Sequence, residues 1–404
     1  MKTCTVMGLG YIGLPTAAIL ANSGYRVFGV DINPSIVKTI NKGLIHIKEP
    51  NLKSLVSNTV LNNNLSAHPN PSQSDVFLIT VPTPFEKTLT DIPKPNLEYV
   101  FDAATSISKN IQPGNLIIIE STCPVGTTEK VHALLSEESG LKKEDINIAY
   151  CPERVLPGNI LNELVDNDRV IGGLTPESAI ASKLFYESFC KGTLHITDAK
   201  TAELVKLSEN AFRDINIAYA NELSMICNEF SIDVRELIKL SNKHPRVNIL
   251  NPGCGVGGHC IAVDPWFIAS ALPDQTHLIR TARLVNENKI SWVISEVKKR
   301  SSIISKKIGR PAKIGCFGLS FKPNIDDLRE SPALRITEKL IKEGYDVFPC
   351  EPNINSHPTI ELYSINEVME SADLLLFLVA HSSFMDIDTS GIDTFDLCGI
   401  KSSQ

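Results

Sequence analysis

Short apolar runs alternate with stretches of helical spacing through the first half of the chain. Thr3–Met7 and residues 26–31, 75–80 and 115–120 read as strands with almost no polar interruption. Residues 14–22 form an alanine-rich helix between the first two. Strands apolar on both faces, alternating with helices, predict a parallel sheet covered on both sides. The texture then changes. Residues 198–230 carry apolar positions at helical spacing without an internal Gly or Pro, which predicts one helix of roughly 50 Å at 1.5 Å per residue. A second helical stretch, Val234–Ser241, precedes the loop His244-Pro245-Arg246. After a linker-like break at 307–311, strand and helix alternate again: strands at 313–318, 345–350 and 373–379, a helix at 333–343.

These patterns predict an α/β protein with two Rossmann-like, doubly wound parallel-sheet domains joined by a long central helix and a small helical region. The expected divisions are residues 1–197, 198–300 and 301–404. A helix this long exceeds a crossover, so it is expected to be the spine between domains and the contact of a homodimer.

Composition narrows the function classes. The 404 residues are 43% hydrophobic and 21% charged, ordinary for a globular protein. A net charge of −7 without a dense basic run predicts neither nucleic-acid nor membrane-surface partners. The chain enters a strand at once, without an apolar leader, and has no membrane-length apolar run. Ten cysteines lack CxxC pairs and zinc-ligand spacing, so reduced thiols in the cytoplasm and no metal site are expected.

Gly8-Leu9-Gly10-Tyr11-Ile12-Gly13 joins the first strand to the first helix, and Asp31 ends the next strand 23 residues after Gly8. Gly8 permits the turn, Gly10 lets a pyrophosphate reach backbone N–H groups, Gly13 permits close packing, and Asp31 accepts ribose hydroxyls. No arginine follows Asp31, which favours NAD over NADP. Gly315-Cys316-Phe317-Gly318-Leu319 is a worn copy of this fingerprint, and two such folds predict two bound nucleotides.

Val81-Pro82-Thr83-Pro84 and Ser121-Thr122-Cys123-Pro124 follow apolar strands, either turning a threonine hydroxyl to the ligand crevice or simply capping loops. In Tyr150-Cys151-Pro152-Glu153-Arg154, Glu153 is a general base acting through water or the ion-pair partner of Arg154. Lys206 and Asn210 share one helix face, with Arg213 a turn further on. The alternative for Lys206 is surface pairing with Glu203 or Glu209.

The stretch from Gly253 to Cys260, followed by Ile261-Ala262-Val263-Asp264-Pro265, has four glycines in six positions. They are expected to let a ligand approach the backbone and to display the Cys260 thiol on an exposed turn. Pro265 marks a helix start, setting Cys260 just before a positive dipole end. A Cys254–Cys260 disulfide is the competing reading.

The fingerprint, the helix lysine and asparagine, and the cysteine loop together resemble the UDP-glucose/GDP-mannose 6-dehydrogenase family over essentially the whole chain. The resemblance implies that Cys260 captures an aldehyde as a thiohemiacetal that is oxidised to a thioester. It further implies that Lys206, Asn210 and Asp264 manage oxyanion charge and protons, and that Thr122 and Glu153 assist water. Tyr11, Ile12, Asp31, Thr83, Thr122 and Arg329 are implied cofactor contacts. Arg154, Val155, Arg213, His244, Arg246, Gly257, Phe321 and Lys322, with Lys206 and Asn210, are implied UDP-sugar contacts, the His244/Arg246 loop reaching a partner subunit's site. Val263 stands where UDP-glucose members carry lysine, which favours an N-acetylated sugar, and the stretches 151–158, 244–250 and 258–267 resemble those of members acting on UDP-N-acetylmannosamine, whose acid would be destined for surface polysaccharide. UDP-N-acetylglucosamine and UDP-glucose are the alternative substrates. A two-electron hydroxyacid dehydrogenase and a non-catalytic nucleotide-sugar sensor are the remaining readings. Where the family has a basic residue in Asp-x-Arg/Lys-Gly, this chain has Asp396-Leu397-Cys398-Gly399.

Overall fold

The computed structural model describes residues 2–86, 92–156, 158–258 and 260–401; His259 of the cysteine-loop stretch lies outside them. The chain divides into two compact units, Met1–Ser208 and Glu209–Gln404.

In the first unit, eight strands form one sheet: β1 Thr3–Met7, β2 Arg26–Val30, β3 Leu65–His68, β4 Val76–Ile79, β5 Leu116–Ile119, β6 Asn147–Tyr150, β7 Arg169–Gly173 and β8 Leu194–Asp198. Their order is β8-β7-β6-β5-β4-β1-β2-β3. The six strands from β3 to β6 have the 3-2-1-4-5-6 order of a dinucleotide fold. Side chains of β4 and β5 alternate between two buried clusters. Leu78 and Ile118 enter one with Val6, while Phe77, Ile79, Ile117 and Ile119 enter the other with Met7. Burial on both faces explains the unbroken apolar runs.

One departure from an all-parallel sheet matters. β7 runs antiparallel to β6, with Ala149 opposite Gly173 and Tyr150 opposite Gly172. β8 is parallel to β7, so these two strands start at the sheet edge where the other six end.

The second unit has four parallel strands, β9 Ile314–Phe317, β10 Val347–Cys350, β11 Leu374–Phe377 and β12 Asp393–Asp396, in the order β10-β9-β11-β12. The helix α1 Ala199–Phe230 matches the expected long helix, and the division between units falls within it. The sequence reading missed a second helix of equal length, α2 His277–Ile308, which runs up to the supposed linker and ends on Gly309. Its Arg283, Asn286 and Lys289 are buried, so the apolar periodicity is broken on the core side. Among the described residues no helix is long and apolar enough to cross a membrane.

Candidate functional site

The first glycine loop divides its work by position. Gly8 has φ +91°, and its N–H donates to Val30 O at 2.8 Å. A Cβ at Gly13 would stand 1.8 Å from Gly8 O and 2.4 Å from Thr80 Oγ1. At Gly10 a Cβ would meet nothing within 4 Å, so its front is open. Asp31 reaches back to this loop: Oδ2 accepts from Leu9 N–H at 3.1 Å and Oδ1 from Asn33 N–H at 2.8 Å. Thr80, which was not singled out in the sequence, braces the turn by donating to Met7 O and Gly8 O. Tyr11 is exposed and Ile12 half-buried. An open backbone nest at a helix start with a carboxylate beside it fits an adenine dinucleotide.

Successive strand ends of the same sheet carry Thr83, Thr122 and Glu153. Both threonines are half-buried. Val155 packs against the core, and Arg154 Nη1 donates to Asp168 O at 3.4 Å. Glu153 forms an ion pair, but not with Arg154 as the alternative reading had it. Its Oε2 accepts from Arg169 Nη2 at 3.2 Å, while Oε1 takes the backbone N–H of Arg154, at 2.6 Å. Arg169 sits at the start of the reversed strand β7, which is why sequence spacing did not point to it. Its guanidinium also stands 3.9 Å from Glu120 Oε1 and 4.7 Å above the Tyr186 ring.

Lys206 on α1 does not pair with Glu203. That carboxylate is buried and accepts from Gly126 N–H, Thr128 N–H and Thr128 Oγ1, capping the helix Thr127–Ser139. Lys206 is half-buried, and its Nζ donates to the main-chain oxygen of Glu153 at 2.6 Å.

In the second unit, Asn210 is buried and its Nδ2 donates to Asp264 Oδ2 at 2.6 Å. The helix Asp264–Ala271 starts with Pro265 in its first turn, as expected. The Cys260 carbonyl accepts from Val263 N–H at 3.0 Å and Asp264 N–H at 2.8 Å. The half-buried thiol thus belongs to a tight turn just before a helix N-terminus. Cys254 is not its disulfide partner: that thiol is buried and lies 3.6 Å from Leu378 O, with burial pushing it up to about 12.

Gly257 and Gly258 also make room for the chain itself. A Cβ at Gly257 would stand 2.6 Å from Glu330 O and 2.9 Å from Phe321 Cβ, and one at Gly258 would stand 2.8 Å from the Phe321 ring. The chain itself occupies that space. Gly258 N–H donates to Arg329 O at 3.1 Å, so the cysteine loop is fastened to the segment carrying Phe321, Lys322 and Arg329. At the other end of the loop, Gly253 N–H donates to Asn221 Oδ1, which belongs to a buried Asn221–Asn286–Asp214–Arg283 network. Arg213, His244, Arg246, Lys322 and Arg329 are exposed. Arg329 forms an ion pair with Asp327 at 2.5 Å.

The departure near the C-terminus has a local resolution. Arg235 from the helix Val234–Ser241 lies where a Cβ on Gly399 would be, 2.4 Å from Nε, and its Nη2 donates to Asp396 O at 3.3 Å. A cation therefore stands beside Asp396 although position 398 is cysteine.

Three models of one family match the chain in order: the NAD binding domain over residues 2–190, the central domain over 200–288 and the UDP binding domain over 315–395. The chain belongs to the UDP-glucose/GDP-mannose dehydrogenase family. This dehydrogenase uses NAD. It is 50% identical over 410 residues to the UDP-N-acetyl-D-mannosamine dehydrogenase of Campylobacter jejuni, covering 98% of each. It is 49% identical over 406 residues to the NDP-N-acetyl-D-galactosaminuronic acid dehydrogenase of Ralstonia solanacearum, covering 97% of this chain and 94% of that one. Among solved structures, UDP-D-ManNAc dehydrogenase from Pyrococcus horikoshii superposes with a TM-score of 0.90 at 37% identity, covering 100% of this chain and 96% of that one.

Proposed function

We propose that this dehydrogenase converts the C6 alcohol of UDP-N-acetyl-D-mannosamine to the carboxylate in a four-electron oxidation. The observation that carries the proposal is a nucleophile on a chain that already holds a dinucleotide loop: Cys260 lies in a tight turn before a helix N-terminus, with Asp264 bound to Asn210. A two-electron dehydrogenase gives that thiol no task. NAD, when bound, accepts the hydrides.

In this reading Cys260 Sγ adds to the C6 aldehyde, and the thiohemiacetal is oxidised to a thioester. Lys206 and Asn210 stabilise the oxyanion, with Asp264 holding Asn210. Glu153, helped by Thr122, takes a proton from the water that hydrolyses the thioester. The sum is one alcohol, one water and two NAD giving one carboxylate, two NADH and three protons. Gly8, Gly10, Tyr11, Ile12, Gly13, Asp31, Thr83 and Arg329 are assigned to the cofactor. Arg154, Val155, Arg213, His244, Arg246, Gly257, Phe321 and Lys322 are assigned to the UDP-sugar, His244 and Arg246 acting on a partner subunit's site.

We assign the homodimer contact to α1. Phe212, Tyr219, Ile226 and Phe230 are exposed at 66%, 53%, 44% and 72% and recur at helical spacing, an apolar row suited to a second copy. A cytoplasmic enzyme supplying uronate for surface polysaccharide accords with this substrate.

The test is to incubate the protein with NAD and a panel of UDP-sugars and identify the acid. Two NADH per acid and no acid from Cys260→Ala support the proposal; one NADH, or undiminished acid from Cys260→Ala, overturns it. The similarity to the Ralstonia protein supports a second reading, in which the sugar has the galacto configuration. Faster turnover of UDP-N-acetylgalactosamine would favour it.

A further inference from the structure

We infer that Arg169 is the positioning residue for Glu153, locked in place from behind by Glu120 and Tyr186. The inference rests on Glu153 as the water-activating carboxylate and adds what makes it competent.

Arg169 is only 4% exposed and Glu153 9%. One guanidinium nitrogen serves Glu153 Oε2 and the Leu164 carbonyl, at 3.2 and 3.3 Å. The other faces Glu120 Oε1 at 3.9 Å. With Arg154 N–H on Oε1, each Glu153 oxygen has one fixed donor, so the plane of the carboxylate is set while lone pairs remain for water. The guanidinium lies between Glu153 and the rings of Tyr186 and Phe189, 4.7 and 5.7 Å from their centres. Tyr186 in turn donates its hydroxyl to Glu120 Oε1 at 2.6 Å.

The asymmetry shows which carboxylate is served. Glu120 Oε2 is buried without a hydrogen-bond partner, and burial pushes that group up to about 7 against the pull of Arg169. Glu153 takes the short contact. Without Arg169, Glu153 Oε2 would lose its side-chain donor and face the Glu120 carboxyl directly, so the plane that aims a lone pair at the water would no longer be set. In the step concerned, the water oxygen bonds to the acyl carbon and its proton passes to Glu153. The carbon–sulfur bond breaks, Cys260 Sγ leaves with the electron pair, and Glu153 returns the proton to it.

The experiment mixes wild type, Glu153→Gln, Arg169→Met and Arg169→Lys with NAD and the UDP-N-acetylhexosamine that wild type oxidises fastest. NADH release is followed in the first turnover and at steady state, and intact protein mass is recorded. The expected result for Arg169→Met is a retained first-turnover burst, steady turnover lower by about 10- to 100-fold and an acyl adduct on Cys260, as for Glu153→Gln. Arg169→Lys, which keeps the charge without the planar fork, should show the same pattern more weakly. If Arg169→Met does not fold, Arg169→Lys and Tyr186→Phe carry the test. Folded Arg169 variants that turn over normally, or that slow the burst as much as the steady state, overturn the inference while an adduct in Glu153→Gln leaves the role of Glu153 standing. Absence of the adduct in Glu153→Gln itself overturns both.

Discussion

The two glycine turns begin alike and end differently. In each, a glycine with φ +91° closes the first strand: Gly8 after β1 and Gly318 after β9. Each donates its N–H to the last residue of the neighbouring strand, Gly8 to Val30 O at 2.8 Å and Gly318 to Cys350 O at 2.9 Å. In each, the next N–H goes to a carboxylate just past that strand, Leu9 to Asp31 at 3.1 Å and Leu319 to Glu351 at 2.8 Å. The other carboxylate oxygen accepts from the residue two further on, Asn33 or Asn353.

They part at the carboxylate. Asp31 is half-buried and keeps acceptor capacity toward solvent. Glu351 is fully buried and filled by Ser320 N–H at 3.0 Å and His381 Nε2 at 2.9 Å. His381 Nδ1 accepts from Asn324 N–H and Asn353 Nδ2, so its proton sits on Nε2 and points at Glu351. A helix follows the first turn directly, whereas the next helix after the second is Pro332–Lys342. In the second unit the intervening chain, with Phe321, is the wall against which the cysteine loop packs. The same turn thus serves as an open nest in one unit and an internal brace in the other, according to whether its acid is left hungry.

The contrast can be broken most forcefully at Gly13. Gly13→Ala forces a Cβ onto a carbonyl oxygen and should destabilise the first unit by about 4 kcal/mol, read as a lower melting transition and loss of NAD binding. A variant that melts and binds normally would show the packing is not needed.

Next is acid. Burial alone would raise the Glu351 carboxyl, but hydrogen bonds from His381 and the backbone N–H groups outweigh it and hold it at about 2, below the usual 4.5. A depressed carboxyl stabilises fully above pH 4.5 and loses that contribution as pH falls toward 2. Wild type should therefore lose about 3 kcal/mol over that range, and Glu351→Gln should lose much less. Equal acid sensitivity by denaturant titration would refute the brace.

Gly10→Ala tests the open side. With nothing near its Cβ, melting should be unchanged while NAD affinity falls about tenfold or more by calorimetry. The smallest effect is expected from Asp31→Asn, which keeps an acceptor but loses charge: a several-fold weaker NAD affinity at constant stability.

Elements governed by neighbours in sequence were legible. Val234–Ser241 was read to the residue, and α1 began within one residue of the expected start, because helical periodicity is local. Helix α2 was not, since its buried Arg283 and Lys289 look like surface charge until their partners Asp214 and Ser224 are known. The glycines around Cys260 were recognised as necessary, but one reason for them was hidden: a Cβ on Gly257 or Gly258 would strike Phe321, more than sixty residues away.

The amino-acid order determined by itself the dinucleotide turn, the cysteine loop and the long helix, because φ requirements, strand periodicity and helical spacing are set within a few residues. Only the tertiary structure decided that β7 would reverse and set Arg169 against Glu153, that Lys206 would hold a main-chain oxygen, and that one of two like acids would be sealed. Those outcomes depend on which groups lose water together, and desolvation is a property of the packed chain.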